Sequence, residues 1–529
     1  MANVPGLPQD IWWLVMRELS NRHDPDFVAL YHCALVSKAL AGLALPQLYS
    51  IHDTSPAMTS DTVVYDASMA VVLWRSIICS SLGETVFPYC LWVKALSLGN
   101  LHELLEVIAK KSMRKYTALL FSPPLESFRV ENKARITRNS KGQSMDIQKV
   151  VVHVADSITR FIKASAIEEN RALTSLRVRD GSVLNSDVGR AIRESCPSFK
   201  EVGCFYCQGT EVDQDLAGFL GNLAPNTLES FTISSINEIG QEAFKALSAH
   251  SSSLKYLVLQ SLQRPALTSL NILCHCRALE KFTLEASTIA EEFEWQSTVK
   301  QVFEHVVPWL SACADLRTLE MTKVPNATAL LGEVLKSPDV RLTMLSVKLL
   351  ESDETFFSSL GHQTQLRHLL IDAKYLLDVS DPRHTKLVDS ICSCPELREL
   401  TLQNGPLERV DLQRICQRAP LLEDLTFEGE VTDEVLPVLA QLSHLKVLTV
   451  NGLSLFSFVG LHSFIQQLAM DEKASHANIS ISVADQTGAK LSEDEEALVQ
   501  MEVARLFNGR FEVTDRQDPD ELHQSDFSD

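Results

Sequence analysis

The 529-residue sequence lacks any apolar run long enough to cross a membrane. Runs such as AVVLW at residues 70–74 fall far short of the roughly 18 residues that a membrane-spanning helix requires. Residues 1–13 also lack the basic start and apolar middle of a secretory signal. We therefore predict a protein of the cytoplasm or nucleus without a membrane partner, in which the twelve cysteines are reduced thiols.

Sequence motifs of known catalytic sites are absent too. There is no G-x-G-x-x-G after a strand, no phosphate-binding G-x-x-x-x-G-K and no G-x-S-x-G. The segment HELLE at residues 102–106 misses the zinc-protease motif because Glu106 stands where a second histidine must bind the metal. The sequence predicts neither an enzyme nor a cofactor.

Positive charge is in short supply. The chain has 48 lysines and arginines against 68 aspartates and glutamates, a formal net charge of −20. A protein that binds nucleic acid by neutralising phosphates needs the opposite balance. We therefore predict no nucleic-acid partner.

A pattern of the form L-x-x-L-x-L recurs eleven times. Its copies begin at residues 173, 199, 228, 254, 279, 316, 342, 366, 397, 422 and 445, at intervals of 23 to 37 residues. In each copy the last two apolar positions are two residues apart, as in a strand with one buried face. Between the copies lie segments of helical periodicity, such as Val299, Val302, Phe303, Val306 and Leu310. Repeated strand–helix units predict an α/β solenoid.

Four cysteines share the register of these repeats. Cys196, Cys276, Cys313 and Cys394 each stand three residues before the first position of a copy. Thiols are readily buried, so we interpret them as core residues at the point where helix turns into strand. Metal binding is the alternative for the closely spaced pairs 204/207, 274/276 and 392/394. No second pair follows Cys204 at a suitable distance, which favours core thiols and predicts no metal.

The N-terminal segment 7–49 has the pattern of three short helices. LPQDIWWLVMREL places apolar residues at helical spacing, residues 21–26 break the pattern, and a second amphipathic stretch closes with LVSKAL at residues 35–40. Because a segment of this length buries little surface when it folds alone, we expect another part of the protein or a partner to pack against it.

This segment resembles the F-box of fungal F-box proteins, and the repeats resemble the cysteine-containing leucine-rich repeats often joined to F-boxes. In that family the F-box binds the small adaptor subunit of cullin-RING ubiquitin ligases and, through it, the cullin. Carried over to this sequence, the resemblance implies an adaptor-binding set: Leu7, Pro8, Ile11, Val15, Leu19, Leu30, Leu35, Val36 and Leu40.

The same resemblance implies a multidomain chain, with an all-α F-box followed by a curved solenoid whose strands line a concave face. We assign residues 1–50 to the F-box, 51–92 to a helical linker and 93–483 to the repeats. Within 93–172 we expect one or two degenerate repeats, at Val93/Leu96/Leu98 and Leu125/Phe128/Val130. Residues 484–529 would form a capping helix that starts at Ser492 and an acidic, disordered tail.

The implied function is substrate recognition in an F-box type ubiquitin ligase. Residues between the strand leucines would face an unknown target protein: Arg177, Arg179, Tyr256, Glu320, His368, Asp372, Glu399, Thr401, Asp424, Thr426 and Glu428. The later of these are mostly acidic, which predicts a basic target segment. Arg177 and Arg179 could instead receive a phosphorylated motif. The alternative function is a repeat scaffold that never enters a ligase.

Overall fold

The computed structural model describes residues 8–21, 25–52, 67–131, 145–165, 173–287, 296–324, 327–350, 353–373, 379–451, 454–470, 476–484 and 491–514. The chain divides into unit 1, Met1–Tyr256, and unit 2, Leu257–Asp529. The helices of unit 1 are α1 Gln9–Leu19, α2 Phe27–Val36, α3 Lys38–Ser50, α4 Ala67–Ser81, α5 Tyr89–Trp92, α6 Leu98–Ile108, α7 Arg114–Leu120, α8 Ile147–Ala164, α9 Ser186–Ser195, α10 Val212–Asn222 and α11 Gln241–Leu247. Its strands are β1 Ala95–Ser97, β2 Ser175–Asp180, β3 Glu201–Tyr206 and β4 Ser230–Ile233.

Unit 2 continues the alternation of strand and helix. Its strands are β5 Tyr256–Leu262, which begins at the last residue of unit 1, β6 Lys281–Ala286, β7 Thr318–Thr322, β8 Met344–Leu350, β9 His368–Ala373, β10 Glu399–Gln403, β11 Asp424–Phe427, β12 Val431–Thr432, β13 Val447–Val450, β14 Ser454–Leu455, β15 Ser480–Ala484 and β16 Arg510–Thr514. Its helices are α12 Arg264–Thr268, α13 Gln296–Ser311, α14 Ala327–Val334, α15 Glu354–Leu360, α16 Pro382–Ile391, α17 Arg409–Arg418, α18 Leu436–Leu439, α19 Phe458–Met470 and α20 Glu493–Phe507.

Strands pair in parallel with their neighbours along the chain. In unit 1, Leu96, Leu176, Val202 and Phe231 are aligned across β1 to β4. In unit 2, β6 to β11 pair in sequence, followed by β13, β15 and β16, while β12 and β14 form a separate short pair. Parallel neighbours joined by helical crossovers are the arrangement of a leucine-rich-repeat solenoid.

All eleven predicted copies form strands, β2 to β11 and β13. Their pattern residues are buried, as Leu257, Leu259, Leu400 and Leu425 illustrate. The α/β repeat architecture expected from the sequence is therefore confirmed.

Upstream of residue 173, one of the two expected degenerate copies contains a strand and the other does not. The degenerate copy at residues 93–98 does contain a strand, β1, which pairs directly with β2. The copy expected at residues 125–130 is wrong, because Glu126–Phe128 is a short 3₁₀ helix and contributes no strand. Residues 147–154 lie in α8.

A row of side chains at the helix-to-strand turn joins successive repeats of unit 2. The Cys313 thiol donates to the Trp309 carbonyl oxygen at 3.3 Å and to that of Cys276 at 3.7 Å. The Cys394 thiol likewise reaches the Ser390 carbonyl oxygen at 3.4 Å and that of Gln363 at 3.6 Å. Burial raises the pKa of Cys276, Cys313 and Cys394 to about 12. These thiols stay protonated at neutral pH, as expected of thiols buried in the core.

The last strand, β16, was not predicted from the sequence. The expected capping helix is α20, which begins at the Ser492/Glu495 capping box. It is followed at once by β16, whose backbone N–H groups at Phe511 and Val513 donate to Gln500 Oε1 and Glu496 Oε1 of α20. Among the described strands β16 pairs only with β15, so these two side chains cover backbone groups of an edge strand.

We expect the double substitution Glu496→Ala/Gln500→Ala to uncover that edge. Loss of two backbone hydrogen bonds should lower the free energy of unfolding by about 1 kcal/mol each and increase self-association. Urea unfolding and sedimentation velocity measure the two effects. The matched control, Glu304→Ala/Gln467→Ala, removes the same groups from exposed positions inside helices and should change neither; equal behaviour of the two double variants would contradict the capping role.

Candidate interaction surfaces

Helices α1, α2 and α3 pack into a small cluster, which we call the foot. Asp26 Oδ1 accepts from the Ala29 N–H at 2.8 Å and begins α2, and Ser37 Oγ accepts from the Leu40 N–H at 3.2 Å and begins α3. The centre of the foot consists of Met16, Leu30, Ala44 and Ile51. This centre orients the remaining apolar residues of α1 and α2.

Many of those residues point outward. Leu14 and Val15 lie one helical turn after Ile11 on α1, and each of the three is more than one-third exposed. On α2, Leu35 is 66% exposed and Val36 is 71% exposed. We call these five residues the apolar foot surface. So many exposed large apolar side chains on so few residues are typical of a protein–protein interaction site.

The residues predicted to bind the adaptor differ in their surroundings. Pro8, Ile11, Val15, Leu35 and Val36 are exposed, whereas Leu19 and Leu40 are half-buried against the centre of the foot. Leu30 is a correction, because its side chain is fully buried and cannot reach a partner. Leu7 lies outside the described residues.

Sequence reasoning missed four exposed apolar residues of the foot. They are Trp13, Leu14, Val28 and Tyr31. Three of them belong to helical stripes. Leu14 joins Ile11 and Val15, and Val28 and Tyr31 precede Leu35 at spacings of three and four residues. That periodicity was available in the sequence. Trp13 also holds the Arg17 guanidinium over its ring at 5.0 Å.

An aromatic cluster attaches the foot to the helices that follow it. Tyr49 of α3 stacks on Tyr89 of α5 at 4.5 Å between ring centroids, and its hydroxyl lies 2.6 Å from Ser76 Oγ of α4. Trp92 packs edge-on against Tyr89. Burial raises the pKa of Tyr49 to about 12. The foot is therefore packed against α4 and α5 and not merely tethered to them.

The face of each sheet that points away from the helices is the open face. In unit 1 it has a shallow depression of about 490 Å³ where Gly203 supplies no side chain between Arg177 and Thr232. Arg177 is exposed, while Arg179 pairs with Glu106 at 2.6 Å. Glu103 and Glu201 also line the depression. These carboxylates offset the two arginines, which weakens the expectation of a phosphorylated motif. The third predicted residue, Tyr256, is 41% exposed.

In unit 2 the predicted acidic face is smaller than the sequence suggests. Glu320 is neutralised by Lys281, whose Nζ lies 2.7 Å from Glu320 Oε1. The register sets Glu399 beside Asp424 and, on the same strands, Thr401 beside Thr426.

We use the name acidic patch for four carboxylates on β9, on β10, at the start of β11 and just after β11: Asp372, Glu399, Asp424 and Glu428. Glu399 lies 2.7 Å from His368 Nδ1, and Glu428 accepts the Asn404 N–H at 3.0 Å. Within the described residues none of the four pairs with a lysine or arginine. Burial, and secondarily the charge of Glu399, raise the pKa of Asp424. Glu399 and Asp424 thus stand side by side without a lysine or arginine partner, whereas Lys348 of β8 is in register with Asp372.

Other polar groups serve the fold. The His250 ring nitrogens lie 3.4 Å from the Leu228 nitrogen and 3.2 Å from the Leu220 oxygen.

In the part of the chain that the structure describes, no group of three or more histidines, cysteines or carboxylates is placed to hold a metal ion. Nor is any helix in that part long and apolar enough to span a bilayer.

The sequence matches no protein-family model and no curated protein. Two solved structures show likeness in fold. The TLR13–ssRNA13 complex shares 12% identity at a TM-score of 0.32, over 59% of this chain and 43% of that one. A leucine-rich-repeat protein of Leptospira interrogans shares 10% identity at 0.31, over 68% of this chain and 92% of that one. This chain thus spans less than half of the TLR13 chain, and at such TM-scores neither likeness bears on function.

Proposed function

We propose that this protein is the substrate-recognition subunit of an F-box type cullin-RING ubiquitin ligase. The foot binds the small adaptor subunit, and the repeats bind a target protein. The apolar foot surface is the observation that carries the proposal. Ile11, Val15 and Leu35 are exposed although a hydrophobic surface is stabilised by burial, and a second polypeptide would cover them.

In this proposal the chain contributes proximity and not chemistry. Binding a target beside the ubiquitin-charged conjugating enzyme raises the effective concentration of the acceptor lysine. The packing of Tyr49 against Tyr89 supports this role, because it fixes the foot on α4 and α5. A loosely tethered foot would spread the same target over a larger volume.

Co-expression of the full chain with the adaptor tests the proposal. We expect a stable one-to-one complex on size exclusion, and a ternary complex once the cullin is added. Failure of the intact, folded chain to bind the adaptor would favour the alternative, a leucine-rich-repeat scaffold outside any ligase. The repeat architecture and its open face support that alternative equally well.

The acidic patch supports a target with a lysine- or arginine-rich segment. We expect Glu399→Gln/Asp424→Asn to weaken binding of an octalysine peptide about tenfold, because two uncompensated charges are lost. Fluorescence anisotropy at low salt measures the affinity. Glu320→Gln is the control, since Lys281 already neutralises Glu320, and it should have little effect. If Glu320→Gln lowers peptide affinity as much as Glu399→Gln/Asp424→Asn does, the peptide binds elsewhere on this acidic chain.

The raised pKa of Asp424 gives this binding a pH dependence. Asp424 takes up its proton at a higher pH than an ordinary aspartate, so peptide affinity should fall earlier as the pH is lowered. The folded state binds this proton more readily than the unfolded chain, so the charged form costs stability above the folded pKa. Asp424→Asn should therefore weaken peptide binding at pH 7 and yet raise the midpoint of thermal unfolding. A fall in both the peptide affinity and the midpoint of thermal unfolding would contradict this explanation.

A further inference from the structure

A cleft opens between helices α8 and α9 of unit 1, on the side of the sheet that the helices cover. Its volume is about 380 Å³. The floor consists of the buried strand residues Leu96, Leu176 and Val178, and the walls include Val151 of α8 and Val188 of α9. A space of this size lined by leucine and valine is unusual, because a protein interior has few voids larger than a water molecule.

The neighbouring pair of helices shows that the repeats can pack without such a gap. At Gly189 of α9 an added Cβ would lie 2.4 Å from the Phe219 carbonyl oxygen of α10. At Gly218 of α10 it would lie 2.2 Å from Ser186 Oγ of α9. Glycines thus let α9 and α10 approach closely. The α8 side of the cleft instead presents Val151, Val152 and Ala155, and among the described residues the space between α8 and α9 stays open.

The size of the cleft limits what can occupy it. One turn of an α-helix with its side chains fills roughly 400 Å³, from a 10 Å diameter and a 5.4 Å pitch. A docking helix would therefore seat no more than a single turn. The same volume equals about a dozen water-sized units of ~30 Å³ each, which corresponds to a small organic molecule.

The charge at the mouth limits the occupant further. Asp156 and Asp187 stand at the rim, where both are exposed, and Asp187 lies 3.6 Å from Arg190. Thr159 Oγ1 donates to the Ala155 oxygen at 2.7 Å, and Asn185 Oδ1 accepts the Asp187 and Val188 N–H groups at 3.0 and 3.2 Å. These polar groups are already satisfied, and the carboxylates oppose an anion.

We propose that the α8–α9 cleft is a binding site for an uncharged, mostly hydrocarbon small molecule of roughly 10 to 20 non-hydrogen atoms. Burial of its apolar surface against the leucine and valine walls supplies the affinity. The site is separate from the foot and from both open faces, so it stands whether or not the chain enters a ligase.

Fluorescence of N-phenyl-1-naphthylamine with the full chain tests this proposal. We expect saturable binding of the probe, displacement by 1-decanol, and at least tenfold weaker displacement by decanoate at pH 7. Ala155→Phe and Ala191→Phe each place a ring inside the cleft and should lower probe affinity at least tenfold. Ala164→Phe adds the same ring at an exposed position of α8 and should leave the affinity unchanged.

Circular dichroism and thermal unfolding establish that each variant is folded. Val188→Trp offers a third way to fill the cleft from α9 should one alanine variant fail to fold. Absence of saturable probe binding by the unmodified chain would overturn the proposal. So would unchanged affinity in folded variants with a filled cleft.

Discussion

The triple substitution Ile11→Asp/Val15→Asp/Leu35→Asp is expected to abolish the complex with the adaptor subunit. Each of these side chains is more than one-third exposed in the isolated chain, so aspartate is tolerated there without disturbing the centre of the foot. In a complex each aspartate would have to be desolvated against an apolar partner. We expect the dissociation constant to rise at least ~100-fold, or about 2.7 kcal/mol. Isothermal titration calorimetry with purified adaptor measures it.

Two features make this experiment decisive. Val410→Asp/Val459→Asp, at exposed valines of α17 and α19 in unit 2, introduces charge far along the chain from the foot and should leave adaptor binding intact. Circular dichroism should show the same helix content in all variants, because Met16, Leu30 and Ala44 still pack together. If the triple variant still co-elutes with the adaptor, the apolar foot surface is not the docking site.

The repeats were predictable because their signal is redundant. A single L-x-x-L-x-L match is weak evidence for a strand. The last two apolar residues of the pattern point to the same face of a strand, however, and all eleven copies have this spacing. Outside the eleven clear copies the pattern is less reliable, since it correctly predicts a strand at residues 93–98 but not at residues 125–130. Leu125 and Phe128 fit the same spacing and are buried, yet they lie at a 3₁₀ turn, because spacing alone does not distinguish a strand from a tight helical turn.

Which side of an apolar helix faces a partner was not readable from the sequence. Helix α2 is apolar almost all round, so Leu30 and Leu35 look equivalent, and only the packing of α2 against α3 buries Leu30 and leaves Leu35 exposed. The acidic face was overestimated for a related reason. The ion pair of Glu320 with Lys281 joins residues 39 positions apart, and it depends on the register between β6 and β7.

The row of thiols at the helix-to-strand turn leads to the second large expected effect, at Gln363. This residue stands three positions before Leu366, where other repeats carry cysteine, and it is fully buried. Its Nε2 donates to the Leu335 and Val340 carbonyl oxygens at 2.9 and 3.2 Å, and its Oε1 accepts the Leu342 N–H at 2.9 Å. One side chain thus satisfies three backbone groups of the preceding repeat.

Gln363→Leu keeps the volume and removes all three hydrogen bonds. A buried backbone group left without a partner costs ~1–3 kcal/mol, so we expect the free energy of unfolding to fall by about 4 kcal/mol. Urea unfolding measures the loss. Hydrogen exchange at Leu342 locates it, which matters because repeat arrays can unfold in parts.

Comparison with two further variants separates hydrogen bonding from packing. Gln441→Leu makes the same change at an exposed glutamine and should alter stability by less than ~0.5 kcal/mol. Gln363→Cys loses more side-chain volume than Gln363→Leu, but its thiol restores a hydrogen-bond donor. At the equivalent position of another repeat, the Cys394 thiol donates to a carbonyl oxygen of the preceding repeat. We therefore expect the unfolding midpoints in the order unmodified, Gln363→Cys, Gln363→Leu. The reverse order of the last two would mean that volume, and not satisfaction of the backbone, decides which residues this position accepts.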